Sequence, residues 1–191
     1  MTHSTSLATL ALACTALLAA APALAQQKLV PGQSEIAFVS KQMCVPVEGK
    51  FTRFDAQVAF DPARPATSKV AFTVDTGSAT LGVKESDAEL PKPAWFNVPR
   101  FPQATFQSTA IKAVGPGKYE VAGKLGIKGA AQDVVVPVTL TQSGATTVAT
   151  GAFAIKRLAF KIGENEWADT SMVADEVQVR FRLALTGVGK L

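Results

Sequence analysis

Glu176-Val177-Gln178-Val179-Arg180-Phe181-Arg182-Leu183-Ala184-Leu185 is the stretch that decides the fold. Its odd positions are apolar and its even positions are mostly charged or polar, a period of two sustained over the whole run. Only an extended chain sends alternate side chains to opposite faces, so this is a strand with one face in a core and the other in water. A strand wet on one side belongs to an antiparallel sheet, because parallel strands are covered on both faces.

Outward from this run, toward the N-terminus, the same alternation recurs over residues 147–155, 133–141, 119–127, 105–113, 69–75 and 34–41. Residues 45–60 form one longer run whose apolar phase changes near Arg53. Val47, Gly49 and Phe51 share a face before it; Phe54, Ala56, Val58 and Phe60 share one after it. A phase change inside one strand is what a bulge or bend produces. Two stretches break the pattern. Residues 84–102, with Asp87, Glu89, Pro91, Pro93, Trp95, Phe96 and Phe101, read as a short helix and an irregular crossover. Residues 156–175, with Arg157, Phe160 and Trp167, read as a long loop. About eight strands with hairpin-length connections make an all-β chain. Closing the sheet on itself removes two exposed edges, and at this strand number the interior is either filled by side chains or holds one small ligand. Ala56, Gly49, Gly123, Ala152 and Ala154 are expected to face inward among large residues. Such small residues leave room or merely accommodate their neighbours, and the sequence allows both.

The first 25 residues differ from the rest. They hold no Lys, Arg, Asp or Glu, and an apolar run from Leu7 to Leu18 leads to Ala23-Leu24-Ala25. A run this short, ending on a small-x-small site, reads as a secretory signal cut after Ala25, not as a membrane span. The expected organisation is a signal peptide over 1–25 and one exported domain over 26–191. The net charge of +4 is spread along the chain without a basic cluster, which indicates no nucleic-acid partner.

His3 is the only histidine and falls within the signal, and Cys44 is the only cysteine after it. No catalytic residue of the Ser-His-Asp or Cys-His type is therefore expected in the exported chain, nor a zinc, copper or haem ligand set; the metal and cofactor expectation is none. Asp87 and Glu89 could form a carboxylate pair, although their neighbours favour a place in the first turn of a helix, where acidic residues suit the dipole. Glu164, Asn165, Glu166 and Asp169 could meet a hard cation, but they lack the spacing of a calcium loop, and a solvated turn is preferred. Cys44 could pair between molecules; the preferred reading is a small, buried or half-buried apolar residue.

The chain resembles the YceI-like polyisoprenoid-binding proteins. The resemblance rests on Ser34-Glu35-Ile36-Ala37-Phe38, Val47-Glu48-Gly49-Lys50-Phe51, Trp95-Phe96-Asn97 and Arg100-Phe101-Pro102-Gln103-Ala104-Thr105-Phe106. It continues through Gly123-Lys124-Leu125-Gly126-Ile127-Lys128-Gly129, residues 134–140, Phe153-Ala154-Ile155-Lys156-Arg157 and Val173-Ala174-Asp175-Glu176-Val177. Their order and spacing carry it more than any single piece, and Gly126, Ser86, Ala159, Lys161 and Cys44 depart from the pattern. The resemblance implies an extended, eight-stranded, lipocalin-like barrel with a long isoprenoid in its lumen, of polyprenol or isoprenoid-quinone type, held without covalent attachment. It implies a periplasmic carrier, not an enzyme. The lumen candidates are Phe38, Phe51, Phe60, Phe72, Val74, Phe96, Phe106, Val121, Val136, Phe153 and Phe181, with an ordinary packed core as the competing reading for each. Trp95, Phe96 and Phe101 are expected to cap or gate one end, capping being preferred. A transient contact with a membrane or a membrane redox protein fits a lipid carrier. Oligomeric state is open, a dimer included. The alternatives are a structural or partner-binding barrel with a filled core, and a hydrolase using Asp87, Glu89 or Glu166.

Overall fold

Period-two alternation builds one antiparallel sheet in the computed structural model, which describes residues 26–191; the export segment expected over 1–25 lies outside the described residues. The strands are β1 (Lys28–Leu29), β2 (Glu35–Gln42), β3 (Val45–Phe51), β4 (Phe54–Ala59), β5 (Lys69–Asp75) and β6 (Ala79–Thr80), followed by β7 (Gln103–Gly115), β8 (Lys118–Ile127), β9 (Ala130–Ser143), β10 (Thr146–Lys156) and β11 (Glu176–Thr186). Each of the eight expected strands is present. The 45–60 run divides into β3 and β4, and the two-residue strands β1 and β6, too short to carry any alternation, make up the difference.

The sheet runs β4-β5-β7-β8-β9-β10-β11-β2-β3-β6, with β1 added alongside β11. β3 and β4 are consecutive in the chain yet lie toward opposite ends of that order. The two residues between them, Thr52 and Arg53, therefore tie the sheet's ends together and curl it into a lipocalin-like barrel. The bend is held from the turn after β5. The Thr52 and Arg53 N–H groups donate to the Ser78 carbonyl (3.2 Å) and hydroxyl (3.0 Å), and Asp75 N–H donates to the Arg53 carbonyl (3.0 Å). The other rim is secured by Gln27, whose side-chain amide both donates to and accepts from the Phe60 backbone at 2.6 and 2.9 Å.

The phase change at the bend is real: Phe51 turns inward from one phase, Val58 and Phe60 from the other. A second phase change, in β7, breaks the single alternation expected over 105–113. A bulge between Ser108 and Ala110 moves the inward phase from Ala104 and Phe106 to Ile111, only 2% exposed. Bulges of this kind re-aim every later side chain of a strand.

Two expectations are corrected. Ala152 and Ala154 face water, not the interior: they pair with Arg180 and Gln178 on the outer face of β11, while Phe153 and Ile155 turn inward. Cys44 is exposed rather than buried. With Met43 it forms the two-residue tip of the β2–β3 hairpin, both at positive φ (+46° and +66°), the twist that returns one strand onto the next and leaves the tip in solvent.

The breaks are as irregular as their composition. Residues 84–102 hold the short helix α1 (Lys84–Asp87) and a run of turns. The loop after β10 contains two single 3₁₀ turns, Arg157–Phe160 and Asn165–Ala168. The buried core forms two clusters. One, at the crossover end, is made of Leu90, Phe96, Ala104, Ile127, Ile155, Phe160 and Ile162; the other consists of Phe60, Ile111, Tyr119 and Val121.

Candidate functional site: an apolar lumen

Between the two clusters the barrel is hollow. A cavity of about 370 Å³ runs through it, within the range of small-ligand sites, and its wall is almost entirely apolar. Every long strand contributes. β2 gives Ile36 and Phe38, β3 gives Phe51, and β4 with its end gives Val58 and Phe60. β5 gives Val70, Phe72 and Val74, while β7 gives Phe106 and Ile111. Val121 comes from β8, Val136 from β9, Phe153 from β10 and Phe181 from β11. All eleven lumen candidates, Phe96 of the crossover included, lie on this wall.

Glycines let the aromatic wall lie flat. Gly49, opposite Phe38 in the β2–β3 ladder, has the Phe38 ring where its Cβ would be. Gly151 is covered in the same way by its ladder partner Phe181, and Gly123 by Phe106 of the neighbouring strand. These small residues do not open volume at their own positions. They let rings rest against the backbone and so keep the centre clear. Phe38 and Phe51 are 5.5 Å apart, and Phe51 meets Phe96 edge-on at 5.9 Å, joining the strand wall to the crossover. Phe60 and Tyr119 make an edge-to-face pair at 5.1 Å at the opposite end.

The three aromatics expected to cap one end divide. Trp95 and Phe96 line the lumen; Phe101 packs over the Gly129 turn between β8 and β9, with Arg100 above its ring at 5.4 Å. Trp95 stands 5.4 Å from Trp167 of the later loop.

That loop is organised by Arg157, which is 2% exposed. Its five N–H bonds all find backbone carbonyls: Ala174 from Nε, Ile162 and Gly163 from Nη1, Trp167 and Val173 from Nη2, at 2.7–3.1 Å. Five donors meeting five acceptors is the full capacity of a guanidinium. Burial pulls its pKa below the ordinary arginine value, and the nearby Asp175 carboxylate opposes that pull. Sequence reasoning left Arg157 as a loop residue, yet a signal was there. It continues the inward phase of Gly151, Phe153 and Ile155, and a charge on a core phase must be saturated by partners. The loop is also pinned by Lys128, buried at the β8–β9 turn, which donates to Glu164 at 2.9 Å and to the Lys161 carbonyl at 2.5 Å.

Most of the carboxylates weighed above are occupied structurally. Asp87 lies in the single turn of α1, as expected, with Glu89 just beyond it, and accepts from the Thr80 hydroxyl (2.6 Å) and the Leu81 N–H (2.5 Å). Glu89 pairs with Lys92, Glu164 with Lys128, and Asp169 accepts from both the hydroxyl and N–H of Ser171, which hold its pKa below the usual carboxylate value. Glu166 sits exposed on the Asn165–Ala168 turn. Among the described residues no three His, Cys, Asp or Glu side chains come together in a group able to hold a metal ion.

Comparison with known proteins follows this architecture. Residues 27–185 match the YceI-like domain. A UPF0312 protein of Azotobacter vinelandii is 32% identical over 143 residues, covering 73% of this chain and 74% of that protein. A UPF0312 protein of Yersinia pestis is 38% identical over 96 residues, so the match spans about half the length of each. Among solved structures, Burkholderia cenocepacia BcnA is 49% identical, with a TM-score of 0.79 over 82% of this chain and 98% of that one. A polyisoprenoid binding domain from Saccharophagus degradans shares the fold at 15% identity, with a TM-score of 0.68 over 84% of this chain and 98% of that one. The chain belongs to the YceI-like family.

Proposed function

We propose that this chain is a periplasmic carrier that holds a long-chain isoprenoid, of polyprenol or isoprenoid-quinone type, in its barrel lumen. The observation that carries the reading is the cavity itself: a continuous wall of Phe, Val, Ile and Leu from all sides of the barrel, with few polar groups to receive anything but hydrocarbon. A strand of about ten residues spans roughly 33 Å, long enough to shelter much of an extended polyprenyl tail. At about 0.8 kcal/mol per buried methylene-sized group, each five-carbon unit adds about 4 kcal/mol before ordering costs. The Saccharophagus degradans domain, named for polyisoprenoid binding, lends support through its shared fold.

Binding rather than catalysis fits the same observations. Of the carboxylates weighed for hydrolysis, Asp87 holds a turn, Glu89 forms a salt bridge and Glu166 stands exposed on a turn, and a hollow barrel argues against a filled structural one. Exposed Met43, Val45 and Met172 suit the transient membrane contact a carrier needs; Met43 and Met172 are joined by a backbone hydrogen bond of 2.8 Å.

Mass spectrometry of an organic extract of the purified protein is expected to find an isoprenoid. Protein that is repeatedly empty, and that takes up neither added polyprenol nor added quinone, overturns the reading.

A further inference from the structure

The indole nitrogen of Trp95 is buried and has no hydrogen-bond partner among the described residues; no other buried side-chain nitrogen or oxygen there is left so. A buried donor without an acceptor is costly, and native structures resolve it with a partner supplied from elsewhere. Trp95 lies on the lumen wall. It is fixed from both sides: its backbone N–H donates to the Lys92 carbonyl (3.0 Å), and the adjoining Ala94 carbonyl accepts from the Gly163 (2.8 Å) and Glu164 (3.0 Å) N–H groups of the later loop.

At the crossover end the lumen wall also carries small polar side chains. Ser40, Gln42 and Ser86 line it beside α1 and the end of β2, on the side of the crossover that carries Trp95, while Glu89 there is already paired with Lys92. Toward Phe60, Ile111 and Tyr119 the wall is aromatic and aliphatic apart from the Tyr119 hydroxyl, and the Thr147 hydroxyl there accepts from the Gln142 amide (3.0 Å). Arg157, the one charged group buried in the wall, has every N–H committed to a carbonyl.

We propose that the Trp95 indole N–H is the head-group donor of the lumen. The ligand's tail runs toward the Phe60–Tyr119 end, and an oxygen at its head, a quinone carbonyl or a prenol hydroxyl, accepts from Trp95 Nε1. An indole nitrogen can only donate, so a pure hydrocarbon leaves it unmatched, whereas a head bearing an acceptor oxygen is selected. This inference rests on the carrier reading and names the head chemistry the lumen prefers.

Trp95→Phe keeps an aromatic body and removes the donor. Wild type and W95F are titrated with a polyprenol, an isoprenoid quinone and squalene, a headless isoprenoid hydrocarbon. Affinity for the two oxygen-bearing ligands is expected to fall at least about fivefold in W95F, with squalene changing less than about twofold. Loss for only one of the two tells which oxygen the indole meets, and supports the proposal for that head. Equal loss for all three ligands means that the ring acts by packing and overturns it, as does no loss at all. Binding of none of the three by wild type removes the carrier reading along with it. Because W95F could loosen the crossover, the unsubstituted protein supplies a second readout. Its Trp95 indole ¹H–¹⁵N resonance is expected to shift on adding quinone or prenol and to stay in place with squalene; an unmoved resonance under saturating prenol and quinone overturns the proposal.

Discussion

Arg157 shows how one side chain can organise a segment that has no regular structure. The 157–175 loop covers one end of the lumen with only two isolated turns of helix, and its inward-facing carbonyls find their donors on a single guanidinium. Arg157→Met keeps the apolar stem but leaves five acceptors unmatched, several of them out of reach of water. A loss of at least about 3 kcal/mol is expected, and for a chain of this size that lowers the melting temperature by roughly 6–12 °C. Arg157→Lys cannot reproduce the planar fork and is expected to recover only part of the loss. Calorimetry of both variants checks this, and a Met variant as stable as the parent refutes the assignment. The glycines under the aromatic rings give a paired test. At Gly123 and Gly151 an added Cβ meets backbone carbonyls, those of Gln107 and Pro137, as well as a ring; at Gly49 it meets only the Phe38 ring and the Leu81 side chain. Gly123→Ala and Gly151→Ala are therefore expected to cost about 1–3 kcal/mol, the usual range for overpacking. Gly49→Ala should cost less in stability but push the Phe38 ring into the lumen and lower ligand affinity, a separation that melting curves and lipid titrations can read.

At the scale of elements, what the sequence reveals depends on whether alternation is long enough to register. β11 pairs along its whole length with β10, and its odd positions line the lumen, so ten residues of strict period two are read without error. The bend at Thr52–Arg53 is equally legible, because a phase change leaves a trace in the order of apolar residues. The β7 bulge leaves a weaker one: Ser108, Thr109 and Ala110 are small or polar, and only Ile111 declares the new phase. In β10, Ala152 and Ala154 carry too little hydrophobicity to mark a face, and only pairing with Arg180 and Gln178 settles it. The lumen's strand residues were legible for the reason that made β11 legible; Trp95 and Trp167 were not singled out as lumen residues because irregular segments have no period, and Arg157 was not because its charge hid the inward phase it continues from β10. The β2–β3 hairpin adds a case of local geometry outweighing residue preference. Cysteine is commonly buried, yet a two-residue turn with both φ angles positive holds Cys44 outside. Native protein is expected to react with a thiol reagent at Cys44 without denaturant, at a rate close to that in unfolded chain. Protection until unfolding would place the tip elsewhere.

For the whole molecule, the two halves of the core do different work. The clusters around Phe160 and around Tyr119 are tightly buried, whereas most of the wall between them is only half-buried because it faces the cavity. A barrel of this kind can give up lumen volume without giving up its fold. Val179 offers the place to test that. It lies on the inward face of β11, between Phe153 of β10 and Phe38 of β2 in the two ladders, and borders the cavity. Val179 packs against the edge of the Phe160 cluster, but the open lumen beside it takes up most of the added volume in Val179→Trp, so an overpacking cost of about 2 kcal/mol is expected. The same group occupies the path a hydrocarbon tail must take. The expected outcome is a variant that melts within several degrees of the parent when lipid-free but neither retains an isoprenoid through purification nor gains stability when one is added. The parent, binding lipid only in its folded state, should gain about 2.7 kcal/mol when free lipid stands at a hundred times the dissociation constant. If Val179→Trp binds as the parent does, the tail does not pass through the centre of the barrel, and the lumen is not where this protein holds its ligand.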